Sequence, residues 1–105
     1  MKEEFISLAV TKNTTNHRYE FVVDGYTAFI DYKEEGTRIH LIHTESPAAL
    51  AGRGVATALI EKTLMDIEEH HQTVLPYCPL VFAYIKKNPA WKRIVDLSFP
   101  AYDKL

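Results

Sequence analysis

The chain lacks the features that define cross-linked, metal-held or membrane-bound proteins. Its single cysteine excludes an intramolecular disulfide framework and a cysteine-rich zinc site. No apolar run approaches the roughly 18 residues that a membrane span requires, and no signal-peptide core follows the acidic start. Neither sign of charge dominates, because 12 basic residues stand against 14 acidic ones. We therefore expect a cytoplasmic protein that binds neither membranes nor nucleic acids.

The residues that are present suffice for one globular domain spanning residues 1–105. Hydrophobic residues make up 47% of the chain and charged residues 25%, as in ordinary soluble domains. No repeat, low-complexity tract or linker rich in Pro and Gly divides the sequence. Because an exposed sheet edge allows weak pairing, we expect a monomer or a weak homodimer.

The first half of the sequence has the alternation that is typical of β-strands. Residues 18–23 carry apolar side chains at every second position, and Asp24-Gly25 after them favours a two-residue hairpin turn. Such a turn pairs Phe21 with Ala28, so the apolar side chains of both strands share one face. A later strand with successive apolar residues is predicted to be central and covered on both sides. The predicted strands cover residues 8–12, 18–23, 26–33 and 37–44.

The second half of the sequence changes to helical spacing. Apolar residues recur every three or four positions after a turn at Gly52-Arg53-Gly54, and Pro79 suits the first turn of another helix. The order of elements, β-β-β-β-α-β-α, predicts an α+β fold. The predicted elements of this half are a helix over residues 52–70, a strand over 73–75, a helix over 79–87 and a turn over 90–93.

The two-glycine turn has the chemistry of an anion site. A helix start presents free N–H groups and the positive end of the helix dipole, and glycines allow a phosphate close to the backbone. Neither nucleotide fingerprint fits. Thr57 stands where a dinucleotide site has its third glycine, and Val55-Ala56 replaces the Lys-Ser/Thr of a P-loop. The alternative is a plain helix start in which Gly52 and Gly54 only permit a tight turn.

Three motifs in order resemble a known family. The run Leu50-Ala51-Gly52-Arg53-Gly54-Val55-Ala56 resembles the acetyl-CoA pyrophosphate loop of the Gcn5-related N-acetyltransferases. His43-Thr44-Glu45 before it and Pro76-Tyr77-Cys78-Pro79 after it resemble the small, cysteine-containing subgroup of that superfamily. Ala49 departs from the pattern, because the family usually has Gln or Arg there. The resemblance implies a minimal fold in which helices pack on a bent, mostly antiparallel sheet with a central CoA cleft.

The resemblance also implies which residues contact the co-substrate, acetyl-CoA. Charged side chains near its phosphates would be Arg53 in the loop and, more loosely, Lys86, Lys87 and Lys92. The pantetheine arm lies along Ile42, His43, Thr44 and Glu45. The pyrophosphate lies on Leu50, Ala51, Gly52, Arg53, Gly54, Val55 and Ala56. The second helix contributes Cys78, Ala83, Tyr84, Lys86 and Lys87.

The thiol of Cys78 opens one route for acetyl transfer. It follows a short strand and precedes a helix, a position that exposes a thiol and makes it reactive. Transfer through an acetyl-cysteine is then conceivable, with His43 as the base if the two strands are neighbours. The alternative is a small buried apolar cysteine.

Direct attack by an amine on the thioester is the route of most family members. There Tyr84 corresponds to a tyrosine that protonates the departing CoA thiolate, the alternative being a core tyrosine. His43 or Glu45 at the end of its strand would accept the proton of the amine. The chain lacks sequence for the N-terminal helices that usually enclose the acceptor, so the expected acceptor is a primary amine on a protein or peptide. A non-catalytic acyl-CoA-binding or protein-interaction module is the alternative function.

The five histidines form no metal-binding pattern. His70 and His71 are adjacent on a helix and point in different directions. His40 and His43 are three residues apart on a strand, so they are predicted to face opposite sides of the sheet. No H-E-x-x-H motif is present, and we expect no metal site.

Overall fold

A hairpin over residues 18–35 follows the alternation of the sequence. The computed structural model, which describes all 105 residues, has β2 at Arg18–Val23 and β3 at Tyr26–Glu35. Asp24-Gly25 makes the turn with φ values of 51° and 81°, the left-handed conformation that this turn needs. Phe21 pairs with Ala28 as predicted, and both are buried.

A single mixed sheet is built around this hairpin. The other strands are β1 at Thr11–Asn13, β4 at Arg38–Glu45 and β5 at Thr73–Pro76. The strand order is β1-β2-β3-β4-β5, in which β4 and β5 are parallel and all other pairs are antiparallel. The α+β architecture with a mostly antiparallel sheet is therefore confirmed.

Two helices cover the sheet. Helix α2, Val55–Glu69, begins after the glycines and buries the apolar side of its pattern, from Leu59 to Ile67. Helix α3, Pro79–Lys87, begins with proline in its first turn as predicted. Short 3₁₀ helices lie at Ala48–Leu50, Pro89–Ile94 and Tyr102–Lys104. No helix combines the length and the apolar character needed to cross a bilayer.

The N-terminal prediction was wrong in part. The strand expected over residues 8–12 is confined to β1, and a four-residue helix, α1 at Glu3–Ile6, precedes it. Phe5 explains this arrangement, because its ring is buried and packs edge-to-face on Phe21 with 5.8 Å between centroids. The chain around Leu8 packs against the core without a strand partner and reaches β2 only at β1.

A β-bulge divides strand β4. Leu41 pairs with Tyr32 and His43 pairs with Asp31, which leaves Ile42 without a partner on β3. Thr44 therefore takes the buried face that Leu41 held before the bulge, and the Ile42 side chain is 47% exposed. The prediction that this strand is covered on both sides is wrong beyond Leu41.

The bulge also overturns the predicted directions of two histidines. His40 pairs with Lys33, and His43 pairs with Asp31, two residues earlier on the regular strand β3. Alternate residues of a regular strand share a face, so His40 and His43 lie on the same face of the sheet. The extra residue shifts the alternation by one position, which sequence spacing alone does not reveal.

The segment after α3 forms backbone hydrogen bonds with β5. Val95 forms a parallel bridge with Val74, and the amide of Asp96 donates to the carbonyl of Val74. The carboxylate of Asp96 accepts hydrogen bonds from Ser98 and, at 2.7 Å, from the hydroxyl of Thr73. These bonds lower the pKa of Asp96 to about 2. The C-terminal chain thereby covers the outer edge of β5.

Candidate functional site

Strands β4 and β5 are paired only along the first half of β4. Their parallel pairing ends where Leu41 meets Pro76, and the amide of Cys78 then donates to the carbonyl of Leu41 at 2.8 Å. Residues 42–45 continue β4 but pair only with β3. The pairing on the β5 side of β4 therefore ends at Leu41, which leaves a gap in the sheet beside residues 42–45.

The two faces of β4 at this gap carry different side chains. Thr44 is buried, and its Oγ1 lies 3.2 Å from the Sγ of Cys78. His43 and Glu45 lie on the opposite face with 3.2 Å between Nε2 and Oε1, and each side chain is more than half exposed. The structure thus brings Thr44 to the thiol and pairs His43 with Glu45. It does not bring His43 and Cys78 together, because neighbouring residues of a strand point to opposite faces.

Of the two interpretations of Cys78, the structure agrees with the small buried cysteine and not with the exposed thiol. The residue is 2% exposed. It is the N-cap of α3, and its carbonyl accepts the amide of Phe82 at 2.9 Å. Its own amide is bound to β4, so the side chain turns inward to Thr44 and away from solvent.

The glycine loop has a conformation that only glycine adopts at low cost. Gly52 and Gly54 have φ values of 78° and 79°, and Gly54 is the N-cap of α2. Leu50 before them is buried and anchors the loop to the core, whereas Ala51 is exposed. The two glycines are therefore required by the backbone path into the helix.

The loop gathers amides that have no partner in the chain. Five backbone N–H groups at the start of α2 donate no hydrogen bond within the protein, and the same residues line a cavity of about 250 Å³. The positive end of a 15-residue helix faces this cavity. Such a site accepts a phosphate or another anion. The five residues are Gly52, Gly54, Val55, Ala56 and Thr57.

The side chain of Arg53 does not contribute to this cavity. Its Nη1 donates to Asp24 Oδ2 at 2.6 Å, and its Nη2 donates to Glu4 Oε1 at 3.4 Å. The hydrogen bond with Asp24 raises the pKa of Arg53. The predicted contact of this guanidinium with a phosphate is therefore not the arrangement that the structure contains.

A second groove continues from the cavity between α2 and α3. It has a volume of about 260 Å³, and Ala56 and Thr57 belong to both spaces. Lys87 and Ala83 line it, whereas Lys86 lies outside. Lys92 is engaged elsewhere, with its Nζ 4.7 Å from the ring centre of Tyr102. The complete lining is Ala56, Thr57, Ile60, Leu80, Ala83, Tyr84 and Lys87.

Tyr84 lines this groove from α3. Its hydroxyl donates to Glu61 Oε1 at 2.8 Å. Burial and this hydrogen bond raise the pKa of Tyr84 to about 12. Tyr84 lies six positions after Cys78, a rise of about 9 Å along the helix axis. A phenol held in this way links α2 to α3 and is a weaker acid than a free tyrosine.

Sequence reasoning missed several residues around the site. Three carboxylates bind residues of the site. Tyr84 donates to Glu61, and Arg53 donates to Asp24 and Glu4. In the sequence, each of the three is typical of an ordinary charged residue on the surface. Ile60 and Leu80 line the groove between the helices, and their apolar character indicated only burial. One signal was available in the sequence. Thr57 falls in the first turn of a helix that starts after Gly54, and amides of the first turn have no partner within the helix.

The fold and the site together define a class of protein. A bent mixed sheet, a gap between two parallel strands and an amide-lined helix start together form the fold of acyl-CoA N-acyltransferases. The chain matches the family model described as GCN5-related N-acetyl-transferase over residues 18–94, and it belongs to that family. The predicted family is therefore confirmed. The match covers β2 through the 3₁₀ helix after α3 and leaves out α1, β1 and the C-terminal segment.

Family membership supports one activity in general terms. The GCN5-related N-acetyl-transferases transfer acetyl groups from acyl-CoA to nitrogen, so this chain carries an acetyltransferase domain. No group of three His, Cys, Asp or Glu side chains lies close enough together to hold a metal ion.

Proposed function

We propose that this protein is an acetyl-CoA-dependent N-acetyltransferase that transfers the acetyl group directly from the thioester to a primary amine. The observation that carries the proposal is the set of five unpartnered amides around the cavity at the start of α2. They lie between a strand gap on one side and a groove on the other, as an extended ligand with a central diphosphate requires.

Acetyl-CoA fits these three spaces by its chemistry. The amides of Gly52 and Gly54 and those of the first turn of α2 donate to the pyrophosphate. The pantetheine arm occupies the gap beside residues 42–45, where β4 has no strand partner. The adenosine end follows the groove between α2 and α3, whose single cationic lining residue, Lys87, faces the 3′-phosphate.

The proposed reaction divides between the two faces of β4. Thr44 and Cys78 line the thioester from the buried face, and His43 stands on the exposed face from which the amine approaches. Glu45 orients the imidazole of His43, which accepts a proton from the ammonium or the attacking amine. The amine nitrogen then forms a bond to the carbonyl carbon, the C–S bond breaks, and the proton that the nitrogen loses on becoming an amide passes, directly or through water, to the departing CoA thiolate.

Direct transfer suits the environment of Cys78 better than an acetyl-cysteine does. Its sulfur is buried against the hydroxyl of Thr44, and His43 lies on the other face of the sheet. An acetyl-cysteine would require both a base near this sulfur and room for the acetyl group. The proposed role of the thiol is to line the site without forming a bond to the acetyl group.

The acceptor is proposed to be a primary amine on a protein or peptide. His43 and Glu45 are 57% and 60% exposed, and Ile42 beside them is 47% exposed. An open approach of this kind accommodates a lysine side chain that projects from a larger molecule. A small metabolite would find few contacts with which to be held.

One feature favours a second candidate, a non-catalytic acyl-CoA-binding module. No cationic side chain is among the residues lining the amide cavity, because Ala49 replaces the usual Gln or Arg and Arg53 points to Asp24 and Glu4. Without such a cation, the site has one group fewer to hold the diphosphate in the position that acetyl transfer requires.

Two measurements test the proposal in sequence. In an acetyl-CoA titration followed by residue-resolved amide shifts, we expect movement concentrated at residues 42–45, 50–57 and 78–87. No movement at millimolar ligand would refute both candidates. Mass spectrometry of lysine peptides and of polyamines incubated with acetyl-CoA then separates them. Acetylated peptide supports the transferase with a peptide acceptor, acetylated polyamine alone overturns that acceptor, and binding without any transfer favours the second candidate.

A further inference from the structure

Arg53 connects the amide-lined loop to two other parts of the molecule. Asp24, its nearer partner, lies at the turn between β2 and β3, and Glu4 lies in α1. The turn is fixed by the hairpin, and α1 is fixed by the buried ring of Phe5. One side chain thus ties the middle of the loop to two anchored elements, one of which lies outside the family match.

The loop has few other restraints at this point. The flanking residues, Gly52 and Gly54, have no side chains with which to anchor it. Of the amides of residues 52–54, only that of Arg53 donates within the chain, to the carbonyl of Leu50 at 3.3 Å, and the carbonyl of Gly54 accepts from the amide of Ala58. A glycine pair gains much freedom when a restraint is lost, because each glycine reaches many backbone conformations.

We propose that Arg53 is a positioning residue whose ion pairs with Asp24 and Glu4 hold the loop so that the flanking glycine amides face the cavity. The inference rests on the proposed function only in naming a CoA phosphate as the group those amides bind. The rival interpretation makes Arg53 a phosphate ligand that the two carboxylates restrain. Moving it to the cavity would leave both carboxylates unpaired beside a bound anion, which would oppose binding.

Asp24→Asn separates the two interpretations by the sign of its effect. Asparagine adopts the left-handed turn conformation as readily as aspartate, so the hairpin is preserved. If Arg53 positions the loop, we expect the Kd for CoA to rise about two- to five-fold, the range of an exposed ion pair. The Kd for pantetheine, which lacks the diphosphate, should stay within a factor of about 1.5. Removing the negative charge of Asp24 would by itself strengthen the binding of the anionic CoA. Weaker binding by Asp24→Asn would therefore indicate that the loop has lost its position.

Glu68→Gln is the matched control. It removes the same charge and breaks a comparable arginine–carboxylate pair, that of Arg93 and Glu68, at the other end of α2. We expect it to leave both Kd values unchanged. Tighter CoA binding by Asp24→Asn would identify Arg53 as a restrained ligand and overturn the proposal. Equal CoA binding by the two variants would overturn it as well.

A ligand-free measurement keeps this test separate from the proposed function. The ¹⁵N–¹H heteronuclear NOE of Gly52, Arg53 and Gly54 reports picosecond-to-nanosecond motion of the loop. We expect lower values in Asp24→Asn than in the native chain and no change in Glu68→Gln. Unchanged values would overturn the positioning role. If the native chain failed to bind CoA, the proposed function would fail while the NOE still decided whether Arg53 restrains the loop.

Discussion

Gly54→Ala tests whether the shape of the loop, and not merely its presence, creates the anion site. At a φ of 79°, a side chain costs about 1–2 kcal/mol through contact of its Cβ with the backbone. The added Cβ would meet only the flexible end of Lys2, at 3.6 Å, so no further clash is expected. We expect the chain to relieve part of this strain by rotating the backbone at Gly54, which turns its amide away from the cavity.

The consequence for binding follows from the hydrogen bonds at risk. A hydrogen bond to a charged group contributes about 1.5–3 kcal/mol, so losing one amide contact to a diphosphate weakens binding roughly tenfold or more. Isothermal titration with CoA measures this directly. We expect the Kd of Gly54→Ala to rise at least about tenfold and its unfolding free energy to fall by about 1–2 kcal/mol.

Gly36→Ala supplies the control for this experiment. Gly36 lies between β3 and β4 with a φ of 61°, and its added Cβ would meet no atom within 4 Å. The backbone strain is similar, but the site is remote from the loop. If the two variants lost the same stability and bound CoA equally well, the amide cavity would not be the phosphate site.

Three further results are expected. Cys78→Ala should keep kcat within about threefold, because the proposed role of the thiol is only to line the site beside Thr44. Mass spectrometry should show no acetylated enzyme intermediate. Loss of all activity would favour the acetyl-cysteine route. Tyr84→Phe should lower Tm by about 4–8 °C through loss of its bond to Glu61, while a fall in kcat of a hundredfold would make Tyr84 the catalytic acid. Asp96→Asn should lower Tm at pH 7. Because the pKa of Asp96 is depressed to about 2, its contribution is present above about pH 4 and lost as the pH falls toward 2, so the difference from the native chain should shrink over that window.

The elements that the sequence predicted best are those set by local chemistry. Asp24-Gly25 can form only a few turns, and the alternation on both sides then leaves one register that buries Phe21 and Ala28 together. Pro79 and the proline after Asn88 likewise bracket α3, which spans the predicted residues. In each case the restraint lies within a few residues of the element that it defines.

The parts that the sequence did not predict depend on distant contacts. α1 is held in place by the packing of Phe5 on Phe21. Arg53 points away from the cavity because it binds Asp24 and Glu4, which are distant from it in the sequence. The sequence predicted an anion site at the glycine loop. It did not predict that the Arg53 side chain would be absent from that site. Which partner a surface charge selects depends on the folded arrangement, and periodicity carries no information about it.

The bulge at Ile42 has the largest consequence for the chemistry. In a regular strand the alternation set by Ile39 and Leu41 would bury His43 and expose Thr44. The extra residue reverses this, so that the hydroxyl meets the thiol of Cys78 while the imidazole stands in solvent with Glu45. One inserted position thus places the proposed base in solvent and the proposed thioester lining in the core, at the same level where the pairing of β4 with β5 ends.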